Sequence, residues 1–234
     1  RRRPCRALRG NRWEHPVSLA EALEQTVRCH ADRPAVVDPA GNLTWLEFGN
    51  RVARAATVLS DIGLRAGDRF GIMAQNSFRQ AEVIYAGYWM GAVPVPVNTR
   101  LAPREISDIF DDAACKAVVV DETYASRLET EELAPWRGCS LSLQRGYEMQ
   151  LADATPLSPH DSGEEDDAIL LYTGGTTGRS KGVRLTHRNV LAHGRQFAAA
   201  MGVRSDDVYL HVAPMFHSAD LLGTAFTLAG AAHS

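Results

Sequence analysis

The stretch Ala168-Ile-Leu-Leu-Tyr-Thr-Gly-Gly-Thr-Thr-Gly-Arg-Ser-Lys-Gly-Val183 constrains this chain more than any other, because an apolar run breaks there into a loop of glycines, threonines and one lysine. Four successive apolar residues, Ile169 to Tyr172, bounded by turn signals, predict a short strand covered on both faces. In the loop behind it, Gly174, Gly175 and Gly178 let backbone N–H groups turn toward an anion without Cβ interference. Thr173, Thr176 and Thr177 add hydroxyl donors, and Lys181 adds a mobile positive charge. The combination reads as a polyphosphate cradle; a glycine-rich hairpin with no ligand is the plainer alternative. Two common phosphate loops are excluded by spacing. A Walker loop needs Gly-Lys-Ser/Thr, but Ser180 precedes Lys181 and Gly182 follows it. A dinucleotide fingerprint needs glycine at position 173 and a helix opening at once, whereas Gly182-Val-Arg-Leu-Thr186 predicts a second short strand.

The rest of the chain has the composition of a globular protein. Its 234 residues are 45% hydrophobic and 23% charged, enough for one large or two small domains with a real core. Twenty-five Lys and Arg against 28 Asp and Glu give a net charge of −3, so a broad basic surface for nucleic acid is not indicated. The scattered Cys5, Cys29, Cys115 and Cys139 read as reduced thiols in a cytoplasmic protein. No window approaches the roughly 18 apolar residues of a membrane span, and no signal peptide opens the chain. Stable membrane insertion is therefore not expected. Residues 1–14, with Arg1, Arg2, Arg3, Arg6, Arg9 and Arg12, read as an Arg-rich tail. The helix-like run Leu221 to Ala232 stops abruptly at His233-Ser234, as in part of a longer chain.

Between these ends, helices and strands alternate. Ser18-x-x-Glu21 opens a helix through about His30, and Ala35–Asp38 forms a small hairpin with Leu43–Trp45 about the Gly41-Asn42 turn. Thr44-x-x-Glu47 opens a second helix, in which Phe48, Val52, Ala55, Leu59 and Ile62 form an apolar stripe ending at Gly63. Arg69–Ala74 reads as a strand. Ser77-x-x-Gln80 opens a third helix, with Phe78, Ala81, Tyr85 and Tyr88 on its apolar side, closing near Gly91. The prolines of Val93-Pro-Val-Pro-Val97 suit an edge strand, Pro103 starts a helix, and Lys116–Asp121 is a further strand. Such alternation predicts an α/β fold whose largely parallel sheet is flanked by helices, with ligands beyond the carboxyl ends of its strands. From 139 to 167 the pattern decays into five acids within seven residues, read as an acidic surface linker within the 15–234 domain. Thr186 caps a helix through about Met201, and Val208–Val212 alternates as a half-buried strand that Pro214 ends. His187 and His193 lie on different sides of a helix and do not suit a metal pair; His211 is expected to pack or to face solvent. His217 sits just past a strand's carboxyl end, where a ligand role and a bland one stay open.

With these segments in place, Tyr172-Thr-Gly-Gly-Thr-Thr-Gly-Arg-Ser-Lys-Gly-Val183 resembles the phosphate loop of the adenylate-forming superfamily, Tyr-Thr-Ser-Gly-Thr-Thr-Gly-x-Pro-Lys-Gly. Leu43-Thr-Trp-Leu-Glu-Phe48, Gly87-Tyr-Trp-Met-Gly-Ala-Val-Pro-Val-Pro-Val-Asn98 and Pro214-Met-Phe-His-Ser218 are similar to further family motifs, in the family's order. Gly174 stands where serine is usual and Ser180 where proline is usual; losing one hydroxyl donor weakens phosphate binding by about 1 kcal/mol at most. The resemblance implies ATP-dependent activation of a carboxylic acid to acyl-AMP, then thioester formation with CoA. Carrier-protein ligation, or a non-catalytic nucleotide-binding fragment, are the alternatives. It implies Thr173, Gly174, Gly175, Thr176, Thr177, Gly178 and Lys181 on the phosphates, Thr176 also toward Mg²⁺, and His217 near the substrate carboxylate. The expected chain is the front part of a large N-terminal domain, without the C-terminal domain that bears the family's adenylation lysine, and inactive alone. Amino-acid-activating relatives usually carry aspartate where His217 stands, so a fatty, aryl or other simple acid is favoured, though Asp220 tempers this by lying one helical turn on. Oligomeric state is not legible.

Overall fold

Each helix predicted from a capping motif starts at that motif in the computed structural model, which describes residues 16–39, 41–144, 146–174 and 180–234. Helix α1 is Leu19–His30, and Ser18 Oγ accepts from the Glu21 N–H at 3.2 Å. The Glu21 carboxylate accepts from Val17 N–H rather than from the cap residue itself. Helix α2, Trp45–Asp61, carries the complete box: Thr44 Oγ1 accepts from Glu47 N–H, and Glu47 Oε2 accepts from Thr44 N–H at 2.7 Å. Such reciprocal pairing satisfies donors that the first helical turn leaves orphaned. Helix α3 is Phe78–Met90, ended by Gly91 at φ 75, a left-handed angle that favours glycine. Four further helices are α4 (Pro103–Asp112), α5 (Glu122–Ala125), α6 (Tyr147–Asp153) and α7 (His187–Met201). The eighth is α8 (Gly223–Ala229), entered through a 3-10 turn over Ser218–Leu222.

The strands are β1 (Pro34–Asp38), β2 (Gly41–Thr44), β3 (Arg69–Met73), β4 (Val93–Pro96), β5 (Cys115–Val120), β6 (Ser140–Ser142), β7 (Asp167–Thr173), β8 (Lys181–Thr186), β9 (Val208–Tyr209) and β10 (Ala232–His233). One sheet, β4-β3-β5-β6, is parallel throughout. A second, β2-β1-β10-β9, pairs β1 antiparallel with β2 and parallel with β10; β7 and β8 form an antiparallel hairpin. The two prolines do sit on an edge strand, β4. Val93 and Val97 donate to Asp68 O and Ile72 O, so the alternate positions 94 and 96 turn their missing donors away from β3. Strand β7 is covered on both faces. Ile169 and Leu171 pack into the core built with α2 and α3, while Leu170 joins the core of Val93, Val95 and Phe110.

Three expectations need correction. Residues 139–167 are not a linker throughout, because 139–153 contributes the fourth strand of the parallel sheet and helix α6, with Leu141, Leu143, Tyr147 and Leu151 buried. The remainder is mostly exposed but strapped down: Thr57 Oγ1 donates to Thr155 O, Leu157 N–H to Ala53 O, and Trp89 Nε1 to Leu157 O. The strand expected over Val208–Val212 is only β9, since its partner β10 pairs with Val208 and Tyr209 alone; the alternation itself holds, with Val208, Leu210 and Val212 exposed and Tyr209 and His211 half-buried. Cys29 is disulfide-bonded, so four reduced thiols is wrong at that position, whereas Cys115 and Cys139 are free. No helix among the described residues is long and apolar enough to cross a membrane.

Candidate functional site

Strands β7 and β8 pair antiparallel up to Thr173, which lies directly across from Lys181. Thr173, Gly174 and Lys181 are all exposed, and a Cβ at Gly174 would meet nothing within 4 Å. Of the other expected phosphate ligands, Gly175, Thr176, Thr177 and Gly178 lie outside the described residues. Behind this pair the hairpin is braced from both sides. Tyr172 Oη donates to Asp112 Oδ2 on α4 at 2.5 Å, and Arg184 Nε donates to Asp167 across the strands at 2.9 and 3.0 Å. Burial and the adjacent Asp112 push the Tyr172 hydroxyl up, so it stays a donor.

The brace leaves little room for a side chain at position 182. Gly182 is the cross-strand partner of Tyr172, and a Cβ there would lie 3.0 Å from the phenol ring and 3.3 Å from Leu170 Cδ1. Gly182→Ala is expected to displace the ring from Asp112 and cost about 1–2 kcal/mol, to be read as a shift in denaturant midpoint without a change in slope.

The last paired position of the hairpin thus carries one hydroxyl side chain, Thr173, and one ammonium, Lys181. Both are donors, and neither meets a carboxylate there in the described structure; such a pair suits phosphate oxygens. Among the described residues no group of three His, Cys, Asp or Glu side chains is placed to hold a metal ion.

His217 is exposed and caps the 3-10 turn, its Nδ1 accepting from Ala219 N–H at 3.1 Å. It is not among the residues lining the apolar cavity of about 250 Å³ that lies alongside α3. Trp45, Phe48, Ile84, Tyr88, Leu210 and Met215 form much of that cavity's wall. Phe78, Ala81, Tyr85 and Tyr88, the apolar side predicted for α3, face it. Asp220 lines it as well, and His211, expected to pack or face solvent, bonds to Asp220 at 2.7 Å and to His233 at 3.0 Å. Tyr85, Thr227 and His233 complete this polar group, of which only Asp220 was singled out from sequence. The separations of 9, 22 and 142 residues between bonded partners follow no local period.

Comparisons with known proteins identify the family. The family model described as AMP-binding enzyme matches residues 23–233. The chain belongs to that family. It is 32% identical over 203 residues to the long-chain-fatty-acid–CoA ligase FadD13 of Mycobacterium tuberculosis (strain ATCC 25618 / H37Rv), covering 82% of this chain and 40% of that protein. It is 29% identical over 211 residues to the 2-succinylbenzoate–CoA ligase of Geobacillus sp. (strain WCH70), covering 87% and 40%. The inhibitor-bound crystal structure of the N-terminal domain of FACL13 from Mycobacterium tuberculosis superposes with TM-score 0.85 and 29% identity, over 93% of this chain and 57% of that one. The fold is thus the α/β fold of adenylate-forming N-terminal domains, its relatives are acyl-CoA ligases, and the chain spans about two fifths of the length of the curated relatives it matches.

Proposed function

We propose that this chain grips the phosphates of ATP so that a carboxylic acid can be activated as acyl-AMP and passed to the thiol of CoA. The observation that carries the reading is Thr173 across from Lys181 at the last paired position of a braced hairpin, in a chain of the AMP-binding enzyme family. The chemistry asks for such a grip. A carboxylate oxygen must bond to the α-phosphorus while the bond to pyrophosphate breaks, and both reactants are anions. Lys181 neutralises phosphate charge, and the hydroxyls of Thr173, Thr176 and Thr177 with the backbone N–H groups of Gly174, Gly175 and Gly178 orient it. Mg²⁺, held by phosphate oxygens with Thr176 as a hydroxyl ligand, would supply further charge neutralisation. His217, whose Nδ1 is occupied as an acceptor, carries its proton on Nε2 and offers that N–H to the substrate carboxylate. Relatives named as ligases of fatty acids and of succinylbenzoate support a fatty or aryl acid.

The test is Lys181→Ala in the intact enzyme. Acid-dependent ATP–pyrophosphate exchange is expected to fall about 10- to 100-fold, the worth of one charged hydrogen bond. Thioester formation from supplied acyl-AMP is expected to stay within about two-fold, because no pyrophosphate leaves in that step. Equal loss in both steps would refute a phosphate role.

A further inference from the structure

Five polar side chains run in a row along the wall of the apolar cavity. Tyr85 Oη lies 2.7 Å from Thr227 Oγ1, which lies 3.0 Å from His233 Nε2. His233 Nδ1 lies 3.0 Å from His211 Nε2, and His211 Nδ1 2.7 Å from Asp220 Oδ1. All five line the cavity. The far end of the row fixes its protons. A carboxylate only accepts, so His211 donates from Nδ1, and at pH 8, where an imidazole is ordinarily neutral, its Nε2 accepts. His233 therefore donates from Nδ1 and accepts at Nε2. Thr227 gives its hydroxyl proton to that nitrogen, and Tyr85 gives its own to Thr227.

Every O–H and N–H of the row thus points toward Asp220 and is spent. What remains for the cavity is acceptors: lone pairs of the Tyr85 hydroxyl at one end and of the Asp220 carboxylate at the other. Burial is the chief cause that holds His233 down at about 3, so its ring stays neutral through the neutral range and keeps one donor and one acceptor nitrogen in the row. A ligand donor entering the cavity finds a partner. A ligand acceptor in the same place meets lone pairs and loses the water it gave up.

We propose that the cavity holds the apolar body of the ligand, and that the row from Tyr85 to Asp220 selects a body carrying a hydrogen-bond donor over one whose only polar atom is an acceptor. Resting on the acid-activating reading above, this narrows the substrate to aryl or aliphatic acids with a hydroxyl or N–H remote from the carboxylate.

Two matched probe pairs test it by calorimetry on the intact protein at pH 8, where an imidazole is ordinarily neutral. The first pair, 4-ethylphenol and 4-ethylanisole, carries no carboxylate, so its outcome does not depend on acid activation, which the pyrophosphate exchange tests separately. The second is 3-(4-hydroxyphenyl)propanoate and 3-(4-methoxyphenyl)propanoate. The phenol is expected to bind about ten-fold tighter than the ether in each pair, the worth of one buried hydrogen bond. Tyr85→Phe or Asp220→Asn, according to which end meets the phenol, is expected to bring that ratio to within about two-fold. Equal affinities, a preference for the ether, no binding of the neutral pair, or an unchanged ratio in both variants would each overturn the proposal. The wild-type comparison decides by itself where a variant fails to fold.

Discussion

Arg51→Ala is expected to lower the free energy of unfolding by about 3–5 kcal/mol, the cost of leaving a buried charge without its partner. Glu82 is that charge. Its side chain is fully buried on α3, where Arg51 of α2 donates through Nε at 2.5 Å and Tyr147 of α6 donates its hydroxyl at 2.6 Å. The same guanidinium reaches Glu148 Oε2 at 2.7 Å, and Arg79 also donates to Glu148. Three helices are therefore joined through one arginine. Burial pushes the Glu82 carboxyl up while Arg51 and Tyr147 hold it down, so taking the arginine away leaves desolvation unopposed by charge. Denaturant unfolding at pH 7.5 measures the loss, and Glu82→Gln in the Arg51→Ala background tells its cause. If the penalty is an uncompensated carboxylate, the double variant recovers much of it. A loss below about 1 kcal/mol for Arg51→Ala would mean the pair behaves as a surface ion pair, contrary to the full burial of Glu82.

That network also explains which parts of the fold could be read from the sequence. Thr44 and Glu47, or Thr186 and Asn189, are three residues apart and meet whatever the rest of the chain does, so helix starts are legible. The apolar run Ile169–Leu171 is legible because burial on both faces needs no polar alternation. Residues 139–153 were hidden because their place depends on partners far away: Glu148 and Tyr147 are held from residues 51 and 82. Local polarity there looked like a linker, and tertiary contacts overrode it. The two strands that flank the glycine-threonine segment were legible as an apolar run, Ile169–Tyr172, and a second short strand, Gly182–Thr186, while their register was not. The row from Tyr85 to Asp220 was not, because α3, the segment after β9, the 3-10 turn, α8 and β10 each supply one member.

Stability is expected to fall as pH drops from about 6.5 to 5, and two buried histidines set the sign. His187 is lowered to about 4, chiefly by burial, and its Nδ1 accepts from Leu19 N–H at 3.2 Å as a neutral ring. His233 is lowered to about 3, again chiefly by burial. In the unfolded chain both titrate near 6.5. Below that value the unfolded state binds protons that the folded state refuses, so the stabilisation is present above about 6.5 and is lost toward 4 and 3. Each ring contributes up to about 2 kcal/mol of loss between 6.5 and 5, from 1.36 kcal/mol per unit, and together about 2–4 kcal/mol. Half-buried His30, lowered by burial and by Arg33, acts in the same direction. Glu82 acts oppositely, since a carboxyl raised by burial takes up its proton earlier in the folded state. The test is the unfolding free energy at pH 7.5, 6.5, 5.75 and 5 for the wild type, His187→Asn and His233→Gln. Each variant removes one titration while keeping an amide that can hydrogen-bond, so each slope should flatten by about half, whatever the variant costs at pH 7.5. Parallel curves for all three proteins would refute the assignment. Acid also reaches the cavity by this route, because a proton on His233 Nε2 would turn Thr227 toward Tyr85 and send the phenol O–H into the cavity.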